Sequence, residues 1–196
     1  MVRAPVSVQS GQIEERIIVA ALQLFTRRGY FNTSVPDMAQ AAQVSVGSIY
    51  HYFKNKEDVA RALSENLTDG LQEELDRIIQ NHDTVHDRCR ATIAVLFELT
   101  ESNRDAMEFM LYAKHREFLP VARPICSSKP FETMRGFVQE GMERGEIRRM
   151  DIMVASSCLF GGAIRLITAR LDGVLAEPLP DMLDATWECA WRGVAA

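Results

Sequence analysis

The chain has 196 residues, of which 47% are hydrophobic and 25% charged, and its formal net charge is -5. This composition is typical of a soluble globular protein with one large or two modest domains. The acidic balance of the whole chain carries no sign of nucleic-acid binding, and the four dispersed cysteines, without a CxxC pair, favour neither a disulfide framework nor a zinc site.

Helical spacing begins near residue 13 and continues through most of the chain. A first apolar stripe ends before Gly29, which is suited to end a helix. Ser34, Pro36 and Asp37 then predict a capped helix over residues 35–42. Ser45 can cap a second short helix reaching about residue 52, and a longer helix runs from about residue 55 toward residue 81.

The remaining helices are predicted near residues 83–101, 103–114, 129–144, 151–171 and 180–192. Prolines in the stretch 117–130 exclude a continuous helix there. No strand-type alternation is sustained anywhere, so the predicted fold class is all-α. Gly161 and Gly162 interrupt an apolar helical stretch, which predicts close approach by another helix, either internal or from a second subunit.

Residues 35–52 form two short helices around a tight turn, the spacing of a helix-turn-helix. In the window 27–56, four cations, Arg27, Arg28, Lys54 and Lys56, face the single acid Asp37. A local basic island of this kind suits phosphate binding, although a solvated surface patch has the same charge pattern.

Residues 13–65 resemble the N-terminal DNA-binding segment of the TetR family of transcriptional regulators. The markers are Leu24-Phe25, Gly29-Tyr30, Thr33-Ser34, Ala39 with Ala42, the run Ser48-Ile49-Tyr50-His51-Tyr52-Phe53, and Lys56-Glu57. The resemblance implies a three-helix DNA-binding domain at residues 1–55 and a helical effector-binding and dimerisation domain at 56–196. It also implies a homodimer that binds operator DNA. The composition of the C-terminal helices predicts a small-molecule effector, and no cofactor is expected.

The sequence departs from the family pattern at two positions. Gln43 stands where the family usually has glycine in the turn, so either glutamine accepts a left-handed conformation or the turn differs. Val46 stands where a polar or basic residue is common, which removes one possible DNA contact and offers a methyl surface to thymine. The operator sequence therefore does not follow from the resemblance.

The predicted DNA-binding face combines backbone contacts with contacts to base edges. Lys56 and Tyr52 are assigned to the phosphate backbone with the hydroxyls of Thr33 and Ser34, while Gly47, Ser48 and Tyr50 are placed nearest the bases. Ile49 and Phe53 are expected to face the core. The complete predicted set is Thr33, Ser34, Ser45, Val46, Gly47, Ser48, Tyr50, His51, Tyr52, Lys54 and Lys56.

Two further sets of residues are predicted in the C-terminal helices. Apolar density near the C-terminus, together with the resemblance, predicts dimer contacts at Cys158, Phe160, Gly161, Gly162, Ile164, Leu171, Trp187 and Trp191. Methionine and aromatic residues suit an adaptable apolar pocket, predicted at Phe97, Met110, His115, Met134, Phe137 and Arg165, where Arg165 is available to an anionic ligand. Ordinary core packing is the alternative for both sets.

No catalytic motif is present, so an enzyme is not expected. His82, His86 and Cys89 share helical spacing, but a helix break between them favours no metal site. The N-terminus lacks an apolar signal core, and the weakly polar run 152–164 is shorter than the ~20 residues needed to span a bilayer, which predicts a cytoplasmic protein. The alternative function is a helical ligand-binding or stress-sensing protein without a specific operator.

Overall fold

The computed structural model describes residues 13–113 and 127–196, which are helical apart from turns and one isolated bridge between Ile147 and Ala195. The helices are α1 (Ile13–Arg28), α2 (Val35–Ala42), α3 (Val46–Tyr52), α4 (Lys56–Asn81), α5 (Val85–Ser102), α6 (Arg104–Tyr112), α7 (Lys129–Arg144), α8 (Ile152–Leu171) and α9 (Leu183–Arg192), with a short 3₁₀ helix at Leu179–Met182. The all-α prediction is confirmed. The predicted break at 117–130 lies largely outside the described residues.

The helices are divided between two compact units. Among the described residues, the first unit contains residues 13–70 and 105–113, and the second contains residues 71–104 and 127–196. Helix α4 is therefore shared between the two units, whereas α6 groups with α1 to α3. The functional boundary after residue 55 stays a prediction.

The core of the first unit is built on α1. Ile17, Met38 and Ile49 are fully or almost fully buried. The ring of Phe25 stacks on Phe109 of α6, with 6.4 Å between the ring centroids. Helix α6 thus packs on α1, although α5, which precedes α6 in the sequence, belongs to the second unit.

In the second unit, an ion pair joins α5 to α8. The guanidinium of Arg170 makes two 2.9 Å hydrogen bonds to the carboxylate of Glu101. These bonds hold the pKa of Glu101 below its usual value. The backbone N–H of Leu179 also donates to this carboxylate, at 3.1 Å, so the same group orders the start of the 3₁₀ helix.

The first turn of α5 is capped by two separate groups. Thr84 is the N-cap, and its hydroxyl accepts a 3.0 Å hydrogen bond from Asp87 N–H. The carboxylate of Glu146, far away in sequence, accepts from the N–H groups of Val85 and His86 at 3.2 and 3.1 Å. Helix α5 therefore begins at residue 85 and not at residue 83, because the donors of its first turn are satisfied from this position onward.

Helix α7 approaches its neighbours closely at Gly141. A Cβ built on Gly141 would lie 2.7 Å from Cδ1 of Ile147 and 3.0 Å from Cγ1 of Val85. Both neighbours are fully or almost fully buried, so little space is available to relieve the overlap. On the same helix, Gly136 is exposed, and no heavy atom lies within 4 Å of its hypothetical Cβ.

We expect Gly141→Ala to lower the free energy of unfolding by about 1–3 kcal/mol, the usual cost of overpacking a core. The matched change Gly136→Ala should raise it by up to about 1 kcal/mol, because alanine is the better helix former. Urea denaturation of both variants measures the difference. Equal effects of the two substitutions would contradict the close packing at Gly141.

Candidate nucleic-acid interface

Helix α3 has one buried face and one exposed face. Ile49 and Phe53 are buried, as predicted, while Tyr50 and Tyr52 are 55% and 43% exposed. The helix begins at Ser45, whose hydroxyl accepts a 2.9 Å hydrogen bond from Ser48 N–H and lies 2.8 Å from the Ser48 hydroxyl. The two serine side chains therefore support the first turn, and the tyrosines lie on the exposed side of the helix.

The exposed surface of α3 carries most of the predicted DNA-binding residues. Val46, Gly47, Tyr50, His51 and Tyr52 are exposed, and Ser48 is half-buried. The rings of His51 and Tyr52 meet edge to face, with 5.0 Å between their centroids. This surface offers hydroxyl, imidazole and methyl groups, and DNA contact by each of these residues stays a prediction.

The turn between α2 and α3 adopts the left-handed conformation at Gln43, with φ 54° and ψ 47°. Glutamine thus accepts the conformation for which the family uses glycine, at some cost in backbone strain. The guanidinium of Arg16 donates hydrogen bonds to the carbonyl oxygens of Ala42 and Gln43, at 2.5 and 3.0 Å. Arg16, which the sequence analysis does not single out, therefore neutralises the carbonyl end of α2.

The front end of α2 has a capping box, as predicted. The Ser34 hydroxyl accepts a 3.2 Å hydrogen bond from Asp37 N–H and donates to the Asp37 carboxylate at 2.5 Å. The backbone N–H of Ser34 donates to the same carboxylate, and these bonds lower the pKa of Asp37. Ser34 is exposed, but its hydroxyl already serves the cap.

Thr33 and Lys56, both predicted DNA contacts, have hydrogen-bond partners within the first unit, and their contact with DNA stays a prediction. Thr33 is only 2% exposed, and its hydroxyl donates to the carbonyl of Gly29 at 3.0 Å. The Lys56 ammonium donates to the carbonyl oxygens of Tyr30 and Thr33 at 3.1 and 3.0 Å. It also lies 4.1 Å from the centroid of the Tyr30 ring. Lys56 therefore holds the turn before α2 in place.

The same cluster affects Tyr30. Burial, followed by the charge of Glu57 and a hydrogen bond to it, raises the pKa of Tyr30 to about 12. The shift moves ionisation of the phenol still further above physiological pH, and the neutral ring is a good partner for the Lys56 ammonium.

Acidic neighbours reduce the basic island that the sequence predicts. A guanidinium nitrogen of Arg27 lies 3.9 Å from the Asp105 carboxylate, and one of Arg28 lies 4.0 Å from Asp37. Lys54 is exposed. Of the four predicted cations, Lys54 is thus the one best placed for a direct phosphate contact.

The described residues of the predicted effector-binding set belong to both units. Phe97, Met134 and Phe137 are buried in the second unit, whereas Met110 is buried in the first. Arg165 is exposed on α8, where its guanidinium donates to the Thr168 hydroxyl at 3.4 Å. His115 lies outside the described residues.

A surface cleft of about 300 Å³ lies in the second unit. Its lining residues are Gln139, Met142, Glu143, Arg149 and Met150. None of these lining residues belongs to the predicted effector-binding set. They lie at the end of α7 and in the following loop, where the sequence contains no motif that indicates a cleft.

The predicted dimer contacts fall into two groups. Cys158, Gly161 and Gly162 are exposed on α8, while Ile164 and Trp191 are half-buried. Phe160, Leu171 and Trp187 are buried within the second unit itself, and their contact with a second subunit stays a prediction. Apolar density in the sequence does not distinguish an inward face from an outward one, and these three side chains belong to the inward face.

The aromatic cluster at α9 explains the burial of Trp187. Its indole N–H donates a 3.0 Å hydrogen bond to Nε2 of His86, and its ring stacks on Trp191 with 5.2 Å between centroids. Cys89 is also buried, which raises the pKa of its thiol to about 12. His86 and Cys89 are thus used in internal packing, and the absence of a metal site stays a prediction.

The internal hydrogen bonds of Lys56 predict a distinctive response of DNA affinity to salt. Lys56→Met should weaken binding by freeing the turn before α2, yet leave the slope of log affinity against log salt unchanged. The control Lys54→Met should reduce the magnitude of that slope by about 0.9 for each phosphate that the lysine would neutralise. Fluorescence anisotropy across a salt series measures the affinity and the slope for each variant. A comparable fall in slope for Lys56→Met would show that Lys56 contacts a phosphate.

Comparisons with known proteins agree with this geometry. Residues 17–63 match the family model described as bacterial regulatory proteins, tetR family. The chain is 26% identical over 157 residues to the fatty acid metabolism regulator protein of Bacillus subtilis (strain 168), covering 78% of this chain and 80% of that protein. It is 33% identical over 97 residues to the HTH-type transcriptional regulator HbdR of Aromatoleum sp. (strain CIB), covering 48% of this chain and 42% of that protein.

Solved structures support the fold over nearly the whole chain. The fatty acid degradation regulator FadR from Bacillus halodurans superposes with a TM-score of 0.78 at 21% identity, covering 94% of this chain and 97% of that one. The transcriptional regulator FadR from Bacillus subtilis, solved in complex with stearoyl-CoA, gives a TM-score of 0.76 at 24% identity, covering 91% and 97%.

These relatives are regulators and not enzymes, in agreement with the sequence analysis. The family match coincides with helices α1 to α3 and the beginning of α4, where the exposed recognition helix and its capped neighbour lie. Residues 17–63 therefore carry the DNA-binding domain of the TetR family, and the chain is a DNA-binding transcriptional regulator.

Proposed function

We propose that the protein is a cytoplasmic homodimeric repressor that binds a palindromic operator and leaves it when a fatty acyl thioester binds the second unit. Residues 1–55 then form the DNA-binding domain, and residues 56–196 bind the effector and the second subunit. One short recognition helix contacts only a few base pairs, so useful specificity calls for two copies on a two-fold axis.

The observation that supports a dimer is the exposed apolar face of α8. This helix of 20 residues is long and apolar enough to span a membrane by length and composition, yet only 28% of its most apolar window is buried. It is longer than the run 152–164 identified in the sequence, because the helix continues through Arg165 to Leu171. Ala155, Leu159, Ala163 and Ile167 pack into the second unit, which is typical of an interface helix in a soluble protein.

The outward side of α8 has the spacing of a helix-packing seam. Met153, Val154, Cys158, Gly161 and Gly162 are exposed, and Val154, Cys158 and the glycine pair recur at intervals of three or four residues. No heavy atom lies within 4 Å of a Cβ built on either glycine. The close helical approach predicted at these glycines is therefore not made within the described part of the protomer, and we assign it to α8 of a second subunit.

The proposed effector class comes from the B. subtilis relative and from the composition of the second unit. That relative is a fatty acid metabolism regulator, and its similarity extends well beyond the DNA-binding domain. Phe97, Met134 and Phe137 are buried in the second unit, and methionine and aromatic side chains are suited to an adaptable apolar site for an acyl chain. Arg165 is exposed on the proposed dimer face, so we do not assign it to the acyl site.

Helix α4 supplies a route from effector to DNA. It is one continuous helix from Lys56 to Asn81, and its residues are divided between the two units after Gly70. An effector that shifts the second part of α4 changes the position of Lys56, which holds the turn before α2. Coupling of ordinary strength would weaken operator binding roughly five- to 150-fold.

The dimer proposal predicts a clear effect of charge on α8. Val154→Glu should convert the dimer to a folded monomer at micromolar concentration, because it buries an unpaired carboxylate at the interface. The control Val174→Glu alters an even more exposed valine, 82% against 54%, outside α8 and should leave the dimer intact. Sedimentation velocity distinguishes the two; a Val154→Glu dimer would refute the proposed interface.

The effector proposal is tested with stearoyl-CoA as the probe and free coenzyme A as the control. The operator duplex is one selected from a random-sequence pool by the wild-type protein. We expect stearoyl-CoA to lower operator affinity by the factor given above and coenzyme A to leave it unchanged. Binding that raises the melting temperature without releasing DNA would contradict the proposed response.

A further inference from the structure

We infer that the phenyl ring of Phe31 is a fixed, apolar contact for the sugar–phosphate backbone of the operator. Phe31 lies between α1 and α2 and, at 65% exposure, is the most exposed aromatic residue in the described part of the chain. Phe31 is not among the residues predicted from the sequence to form the DNA-binding face. An isolated exposed apolar side chain needs no explanation by itself, so the inference depends on how this one is held and where it stands.

The turn that carries Phe31 is held by hydrogen bonds on both sides of it. Thr33 N–H donates to the carbonyl of Tyr30 at 3.2 Å, and the Asn32 side-chain amide donates to the carbonyl of Arg28 at 3.0 Å. The Phe31 ring rests edge-on against the buried ring of Tyr30, with 5.3 Å between their centroids.

The Lys56 ammonium adds to this support through the residues on either side of Phe31. The Lys56 ammonium bonds the carbonyl of Tyr30, just before Phe31, and the carbonyl of Thr33, two residues after it. The backbone is therefore ordered before any partner binds, and a contact made by the ring loses little conformational entropy. This is the arrangement of a preformed contact and not of a loop that must fold onto its ligand.

The location of the turn favours DNA as the partner. Phe31 is three residues before Ser34, the N-cap of α2, and the first helix of a helix-turn-helix crosses the DNA backbone. The side chain of Arg28, which is 59% exposed and lies 4.0 Å from Asp37, provides positive charge at the end of α1, just before this turn. Phosphates are attracted to that charge, and the adjacent deoxyribose offers the apolar surface that suits a phenyl ring.

A contact of this kind has a recognisable energetic signature. Burial of the ring against deoxyribose releases no counterion, so it raises affinity without changing the salt slope. Since it touches no base edge, it fixes the position of the protein on DNA without selecting sequence. Phe31 is therefore a positioning residue for operator binding.

The test uses the full-length protein and a duplex selected from a random-sequence pool by the wild type. Phe31→Ala should weaken binding by roughly tenfold with an unchanged salt slope, whereas Phe31→Tyr keeps the ring and should bind nearly as the wild type. Val174→Ala, which removes a more exposed apolar side chain outside the first unit, should have no effect. Circular dichroism melts of the variants check that the fold is retained.

Direct contact is measured by replacing Phe31 with the photo-crosslinking residue p-benzoylphenylalanine. Irradiation should join position 31 to the duplex, and the same residue at position 174 should give no adduct. Wild-type affinity of Phe31→Ala overturns the inference whatever the crosslinking result. Weak binding without an adduct at position 31 also overturns it, because the weaker affinity would then arise from a distorted turn.

Discussion

Two cations hold the bracing helix α2 at its ends, and the DNA-binding face depends on them. At the front, the Lys56 ammonium binds the carbonyls of Tyr30 and Thr33. At the back, the Arg16 guanidinium binds the carbonyls of Ala42 and Gln43. Because Lys56 begins α4 and Arg16 belongs to α1, these bonds fix α2, and with it the recognition helix, relative to the rest of the first unit.

This use of cations changes the expected character of DNA binding. Positive side chains near a DNA-binding face commonly neutralise phosphates. Here Lys56 and Arg16 stabilise turns, and Arg27 and Arg28 have acidic neighbours. Much of the surface offered to DNA consists instead of neutral hydroxyl and aromatic groups, so a large share of affinity should come from shape and hydrogen bonding.

Local sequence rules predicted the elements whose stabilising groups are close in sequence. The capping box of Ser34 and Asp37, the cap at Ser45 and the inward face of Ile49 and Phe53 each involve residues no more than four positions apart. Gly29 has φ +83°, in agreement with its predicted position at the end of α1. These features followed from helix geometry and did not require knowledge of the tertiary fold.

The features that local patterns did not predict concern residues whose partners are distant in sequence or whose direction is set by tertiary packing. A hydroxyl just before a helix start, such as that of Thr33, is expected to be exposed on local grounds, and only the packed turn shows that it is buried. Glu146 caps α5 from 61 residues away, a contact that no local pattern predicts. The inward direction of Phe160 and Trp187 likewise depends on which helices surround them, and apolar content alone does not contain that information.

The central claim is that two copies of this preformed DNA-binding unit bind one palindromic duplex, and hydroxyl-radical footprinting of the wild-type protein tests it most directly. We expect two protected half-sites related by a two-fold axis, with centres about one helical turn, roughly 10 base pairs, or a small multiple of it apart. A single protected stretch without an inverted repeat would contradict the claim.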